Sequence, residues 1–571
     1  MSVAIDILLC GAAFLLPGVA VALLLRGRCS DDPIVFAYTS LIASAAAAYI
    51  VFWPFLFNVR LAQAIVGLVA IVSLSYVITT LGSRKVPARL LAELGVCFLL
   101  MILVGTAYSG IGYLYEVAKS PEAQADHRFR DMPADNIVPL VFATTLYDGK
   151  RVRPFLFGDW KSSDRPPLQA GATLFQLAAW NPDDREWHYQ NLGVFLQTMW
   201  VAAVWIILRG ANVSRRAIVI VGAFCICSAL FLIHSFFVWP KMLSAGLFLL
   251  ALCALRFFEG RSQTSAGFNT AVAGAGVGTA LLSHPGVAFS FVALILILIA
   301  TRGAPGARRT ILGLFVLGCF LTPWILYQRL YDPPGDRLLK WHFAGAMRPD
   351  SKSFLRTLKD AYTKPPLRNI ASAKLQNFET VTGIHAIPAL ISTLESKSAD
   401  NLAKWFVETT FFNLLPSIGV LNLGFLVLGT LVLRSEKQTK PGAVLGAQRL
   451  LCLACLSVVI WCLLKYLPGS TVIHEGSLAD PLLLCIGLAL ILVLLTPRLC
   501  TGLLIIQVLL FLWACVIATP VNKPWSGASW TAMSTPMALL AVAGLAALVV
   551  LGAAWAVGQS RPEQRRIANP F

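Results

Sequence analysis

The chain has 571 residues, of which 57% are hydrophobic and only 13% charged, and its mean hydropathy is +0.73. Soluble globular proteins carry roughly 25% charged residues, so this composition excludes that class and indicates a polytopic membrane protein. The formal net charge of +18 does not imply a nucleic-acid partner in such a chain, because Lys and Arg have a topological use at the ends of membrane spans.

Apolar segments fall near residues 5–25, 34–57, 61–81, 91–113, 192–208, 217–237, 242–255, 268–283, 286–301, 311–328, 408–433, 450–466, 480–496, 500–518 and 535–557. At about 20 residues per crossing, they predict an all-α bundle of about 15 transmembrane helices. The turns after odd-numbered segments are basic: Arg26/Arg28, Arg84/Lys85/Arg89, Arg209/Arg215/Arg216, Arg256/Arg261, Arg302/Arg308/Arg309, Arg434/Lys437/Lys440/Arg449, Arg498 and the tail Arg561/Arg565/Arg566. The intervening short turns hold little beyond Arg60, Lys241, Lys465 and Lys523. The positive-inside rule then sets the N-terminus outside and the C-terminus in the cytoplasm. The first segment does not read as a signal peptide, because Asp6 precedes its apolar run and its cations follow it. The 13 Cys lie mostly within apolar runs, so no disulfide framework or paired CxxC zinc site is expected.

Two long loops, residues 114–191 and 329–407, fall on the extracytoplasmic side, where any chemistry is expected. The second is basic in its middle, with Arg337, Lys340, Arg348, Lys352, Arg356, Lys359, Lys364, Arg368 and Lys374. Long translocated loops do not follow the topology rule, so this excess reads either as a solvated charge run or as a surface for an anionic substrate or lipid headgroup. The first loop runs Asp126-His127-Arg128-Phe129-Arg130-Asp131-Met132-Pro133-Ala134-Asp135-Asn136, then an apolar stretch, then Gly149 and Arg165-Pro166-Pro167-Leu168. Asp135 reads as a helix N-cap or as a functional carboxylate.

The ordered set Asp135-Asn136, Ala143, Leu146, Gly149 and Arg165-Pro166-Pro167-Leu168 resembles the first extracytoplasmic loop of GT-C glycosyltransferases, in the branch of protein O-mannosyltransferases and the lipid A aminoarabinose transferase. Leu281-Leu282-Ser283-His284-Pro285-Gly286 is similar, in permuted form, to a Leu-Leu-Ser/Thr-Lys-Gly-Pro turn of that group. Asn136, Arg165 and His284 stand where the group usually has an acidic residue, a Lys and a Lys. The resemblance implies a GT-C-like core over 90–328 that includes loop 114–191, an additional set of N-terminal helices over 1–89, a second loop over 329–407, and C-terminal helices with a cytoplasmic tail over 408–571. It also implies transfer of a sugar, with inversion, from a polyprenyl phosphate to an acceptor on a lipid, glycan or protein.

Such a transfer needs a carboxylate to take the acceptor proton, cations for the leaving phosphate, and an apolar groove for the lipid. Asp135 is the expected base, with Asp131 and Asp126 in reserve. Arg165, Lys241 and His284 are the expected phosphate ligands; Lys241, beside Trp239, also suits interfacial anchoring. His474, Glu475 and Asn136 are expected to contact acceptor or sugar, with capping of the following helix as the alternative for His474 and Glu475. No obligatory metal is expected, since no HExxH or DxD spacing occurs. The Cys-free loops suit a bacterial inner membrane. A lipid-linked glycan ligase and a polyprenyl-lipid transporter or flippase are the alternatives. The first should rely on a late loop, and the second should show repeats and midplane charges.

Overall fold

The computed structural model describes residues 3–29, 32–83, 86–129, 132–152, 155–258, 266–301, 303, 306–333, 335–346, 348, 351–433, 442–469, 471–518 and 533–557. Among these the architecture is all-α, with a single isolated bridge between Phe157 and Trp160. Among the described residues nine helices are long and apolar enough to cross a membrane: Val3–Leu24, Pro33–Phe55, Val59–Gly82, Ala88–Gly112, Pro182–Gly210, Ala307–Tyr331, Gly442–Leu464, Pro497–Val516 and Thr535–Val557. The pair Arg215–Ile226 and Ala229–Phe236, bent by 63°, makes a tenth if read as one broken span. Its break at Cys227 frees a carbonyl that Gln507 satisfies at 3.0 Å, as a break inside a bilayer requires. The other five expected segments fall on helices that are shorter or less apolar, among them Lys241–Ala254, Ala266–Ser283 and Ala479–Leu495. Among the described residues, helix length and composition therefore support nine or ten crossings of the expected fifteen.

Burial sorts the helices into an inner and an outer set. Val59–Gly82 turns Leu68, Ile71, Val72 and Ile78 outward, and Ala307–Tyr331 and Thr535–Val557 do the same with Phe315, Leu330, Leu539 and Val549. Apolar faces of this extent are stable when lipid covers them. The Arg185–Gln197 and Met199–Gly210 helices, by contrast, are almost wholly buried at the centre. Val3–Leu24 packs on Pro33–Phe55 and on Arg185–Gln197, so the first two helices belong to the core. Their crossing depends on Gly18, where a Cβ would meet the Ser40 carbonyl oxygen at 2.1 Å. Buried hydroxyls tie other helices together: Tyr38 donates to Asn269 at 3.0 Å, Tyr49 to the Phe320 carbonyl at 2.7 Å, and Tyr108 to the Ile226 carbonyl at 2.8 Å.

The long loops meet at one end of the bundle. Arg337, in the second loop, donates to the Asp159 carbonyl at 2.5 Å and to Asp164 at 2.7 Å, both in the first. The backbone N–H of Tyr466 donates to the His342 carbonyl at 2.9 Å. The basic turns pair elsewhere: Arg209 with Glu93 at 3.2 Å, and Arg215 over the Trp555 ring at 5.1 Å.

Candidate functional site

The site forms where the first loop meets three helix-to-helix turns. Two prolines fix its first cation. Pro166 pushes Arg165 out of helical space, to φ −118° and ψ 118°, and Pro167 then leads into the Leu168–Gln176 helix. The extended backbone directs the Arg165 guanidinium 4.1 Å above the Trp160 ring and 5.5 Å from the Trp239 ring. There it ion-pairs with Asp135; the two residues are 5% and 2% exposed. The N-cap reading of Asp135 does not hold, because the next helix begins at Val138 with Ile137 as its cap and no side-chain cap bond. Asp135 Oδ2 faces Arg165, while Oδ1 has no hydrogen-bond partner. Burial pushes the guanidinium down to about 9, still charged at neutral pH.

Lys241 supplies the second cation. It opens the Lys241–Ala254 helix after a turn in which Val238 adopts φ 54°, a strained conformation for a β-branched residue. Side chains brace that turn: Gln169 donates to the Val238 carbonyl at 3.0 Å, Gln190 to that of Phe236 at 2.6 Å, and Ser283 to that of Pro240 at 2.8 Å. Lys241 Nζ lies 4.3 Å from the Trp239 ring and donates to the carbonyls of Ile473 at 3.0 Å and of His474. Its hydrogen-bond acceptors are thus backbone oxygens of the turn that carries His474 and Glu475.

Around Trp239 the remaining groups converge. The His284 and His474 rings lie 5.7 Å and 5.2 Å from it. His284 Nδ1 accepts from the Gly286 N–H at 3.0 Å, which leaves its proton on Nε2. Gly286 in turn touches the 474–476 turn so closely that a Cβ would meet the Gly476 carbonyl oxygen at 2.4 Å. Lys465, fully buried, ion-pairs with Glu475 and lies 2.8 Å from His342 Nδ1. Trp341 stacks on His342 at 5.9 Å and faces Trp160 at 6.4 Å. Arg165, Lys241 and Lys465 therefore share the cluster with two carboxylates, Asp135 and Glu475. Burial and the surrounding cations hold His474 down to about 3, and the same causes hold His284 and His342 well below the ordinary histidine range.

Of the residues singled out in the sequence, Asp135, Arg165, Lys241, His284, His474 and Glu475 meet here. Asn136 adjoins them, but its side chain turns to the Glu122 carbonyl at 3.4 Å while its own carbonyl accepts from Tyr189 at 2.6 Å. Asp126 is buried elsewhere, where desolvation and Glu122 raise its carboxyl to about 7. Asp131 lies outside the described residues. Sequence reasoning missed Lys465, His342, Trp160 and Trp341. Their only signal was polar or aromatic character at a span end or in a basic loop.

An apolar cavity of about 610 Å³ lies in the bundle, lined by Leu99, Trp200, Val204, Ile226, Phe511 and Leu548 among others. Trp200 donates to Ser235, next to His234, whose ring is buried and within electrostatic reach of Lys241. Comparison of the chain with protein-family models, curated proteins and solved structures gave no match.

Proposed function

We propose that the cluster binds the phosphate of a polyprenyl-phosphate sugar and that the chain is a glycosyltransferase, moving the sugar with inversion to an acceptor hydroxyl or phosphate. The observation that carries this reading is the imbalance around Trp239: three buried basic side chains and three imidazoles face two carboxylates, and burial with mutual repulsion pushes the Lys241 ammonium well below its ordinary value and Lys465 down to about 7, so an arriving anion is what would hold them charged. Such a site attracts an anion and stabilises charge that develops on a leaving group. The indoles of Trp160, Trp239 and Trp341 offer flat apolar faces to a sugar ring.

In this mechanism the donor phosphate competes with Asp135 for Arg165. As the guanidinium turns to the phosphate, which it can hold with two parallel bonds, Asp135 loses its cation and gains basicity. Asp135 Oδ1 takes the acceptor proton while the acceptor oxygen attacks the anomeric carbon. The bond to the phosphate oxygen breaks, and its electron pair remains on the phosphate beside Arg165, Lys241 and Lys465. The outer face of a bacterial inner membrane suits the reaction, because lipid-linked donors are presented there.

The test is transfer of a labelled sugar from a short polyprenyl phosphate by the purified chain in nanodiscs. Asp135→Asn keeps an oxygen for Arg165 and removes the base, so it should abolish transfer in a protein that remains folded. Full transfer by that variant, or a bound polyprenyl phosphate lying away from Arg165 and Lys241, overturns the assignment.

A further inference from the structure

A second constellation lies apart from the Trp239 cluster, where the start of the first helix meets the Arg185–Gln197 helix. Asp6, 2% exposed, stands within 2.8 Å of His188 Nδ1 through Oδ1 and accepts from Asn191 Nδ2 at 2.7 Å through Oδ2. Cys10, one helical turn below Asp6, points its Sγ at the same Oδ1 from 3.8 Å. One ligand atom from each of Asp6, Cys10 and His188 lies within 4.8 Å of the other two. Gln176 holds the Cys10 carbonyl at 3.0 Å, and Trp180 stacks on the His188 ring at 5.5 Å.

We propose that Asp6, Cys10 and His188 form a binding site for a zinc-class divalent cation, independent of the glycosyltransferase reading. Thiolate, imidazole and carboxylate are the donor types that zinc accepts, with bonds of about 2.3 Å to sulfur and about 2.0–2.2 Å to nitrogen and oxygen. In a tetrahedron with such bonds, neighbouring donors lie roughly 3.3–3.7 Å apart. The Cys10–Asp6 separation of 3.8 Å is already close to this, and the Asp6–His188 separation of 2.8 Å must open by about half an ångström. Water completes the fourth position from the side on which His188 is 19% exposed.

Binding is balanced in protons. In the metal-free state the His188 proton sits on Nδ1, between ring and carboxylate. When the cation arrives that proton moves to Nε2, Nδ1 becomes a ligand, and the Cys10 thiol releases one proton to water. Asn191 then acts as the outer-shell partner that orients Asp6. The bound cation ties the first helix to the central one.

The test uses the full chain in detergent, stripped with a chelator, dialysed and titrated with Co²⁺. The expected result is one Co²⁺ per chain, a thiolate-to-cobalt charge-transfer band, and displacement of that band by Zn²⁺. Below the thiol range, affinity should rise about tenfold per pH unit, as one released proton requires. Cys10→Ser should lose the band, His188→Asn should weaken binding more than tenfold, and Asn191→Ala should weaken it about 10–100-fold. Wild-type protein that retains no Co²⁺, or a folded Cys10→Ser variant with an unchanged band, overturns the proposal. If Cys10→Ser does not fold, His188→Asn decides, and undiminished affinity in that variant overturns it.

Discussion

Arg165→Met tests whether the centre of the site is closed to water. The substitution keeps an apolar stem of comparable reach, removes the guanidinium, and leaves the Asp135 carboxylate, 2% exposed, without its cation. Both partners are buried, so the small values typical of exposed ion pairs do not apply. Orphaning one member of a buried pair costs about 3–5 kcal/mol, and loss of the guanidinium over the Trp160 ring at 4.1 Å adds to it. We therefore expect about 4 kcal/mol, close to a thousandfold in the folding equilibrium. Asp135→Leu should cost less, about 2–3 kcal/mol, because the stranded guanidinium still rests against two indoles, each worth about 0.5–2 kcal/mol. The double variant removes both charges and should return to within about 2 kcal/mol of the wild type, since replacing a whole buried pair by apolar groups is near neutral. The assay is reversible unfolding in mixed micelles, followed by tryptophan fluorescence, with a rising fraction of denaturing detergent. A cost under about 1 kcal/mol for Arg165→Met is the size of a solvent-screened pair and refutes the closed site.

Four further outcomes follow from the same geometry. His284, His342 and His474 are neutral in the folded state at pH values where the unfolded chain protonates them near 6.5, so the unfolded state binds more protons. Stability should therefore fall from about pH 6.5 towards pH 3, by up to about 1.4 kcal/mol per pH unit for each histidine, as read from pH-dependent unfolding. A phosphodiester such as dihexyl phosphate keeps one charge across this range. Its affinity, measured by calorimetry, should rise by up to about tenfold per pH unit for each histidine that protonates against it, as pH falls from that histidine's value in the complex towards its lowered value in the free fold, about 3 for His474. Gly286→Ala places a methyl 2.4 Å from the Gly476 carbonyl oxygen and should cost about 1–3 kcal/mol in thermal unfolding, weakening phosphodiester binding without removing any charge. Lys241→Met strands the carbonyls of Ile473 and His474 at about 1–3 kcal/mol each, and hydrogen exchange at 473–476 should accelerate.

The apolar segments, and the gathering of both long loops at one end, were legible because membrane crossing imposes length and charge patterns that local sequence carries. The number of crossings was less so. A buried segment such as Ala479–Leu495 is as apolar as a lipid-facing one, and 17 residues need not traverse the bilayer. Most of the site was legible as polar residues in turns between apolar segments. Its pairings were not: Arg165 and Asp135 are 30 positions apart, and Lys465 and His342 are 123 apart. The Lys241 clamp on the 473–476 turn consists of backbone carbonyls, which every residue possesses, so no residue type advertises it. Asp135 as an N-cap was a sound local inference that a tertiary partner overrode, since a buried Arg offers a carboxylate more than the N–H groups of a first helical turn.

Elsewhere in the same loops charge shows its ordinary structural arrangement. Arg337 is shared by Asp159 and Asp164, Lys161 pairs with Asp332 at 2.7 Å, and Lys340 pairs with Asp336 at 2.9 Å. Each of these cations has a carboxylate of its own, and carboxylates equal or outnumber cations in the set. Around Trp239 the balance reverses. Lys241 is held by neutral carbonyls and an indole face, and burial with Arg165 and Lys465 pushes its ammonium well below the ordinary value, while Asp135 and Glu475 serve the other two basic side chains. A network built only to stabilise the fold would gain from a third carboxylate, because an uncompensated buried charge is costly. A positive excess at this place is what the proposed anionic donor would need, and the three imidazoles beside it can take up protons as the anion arrives.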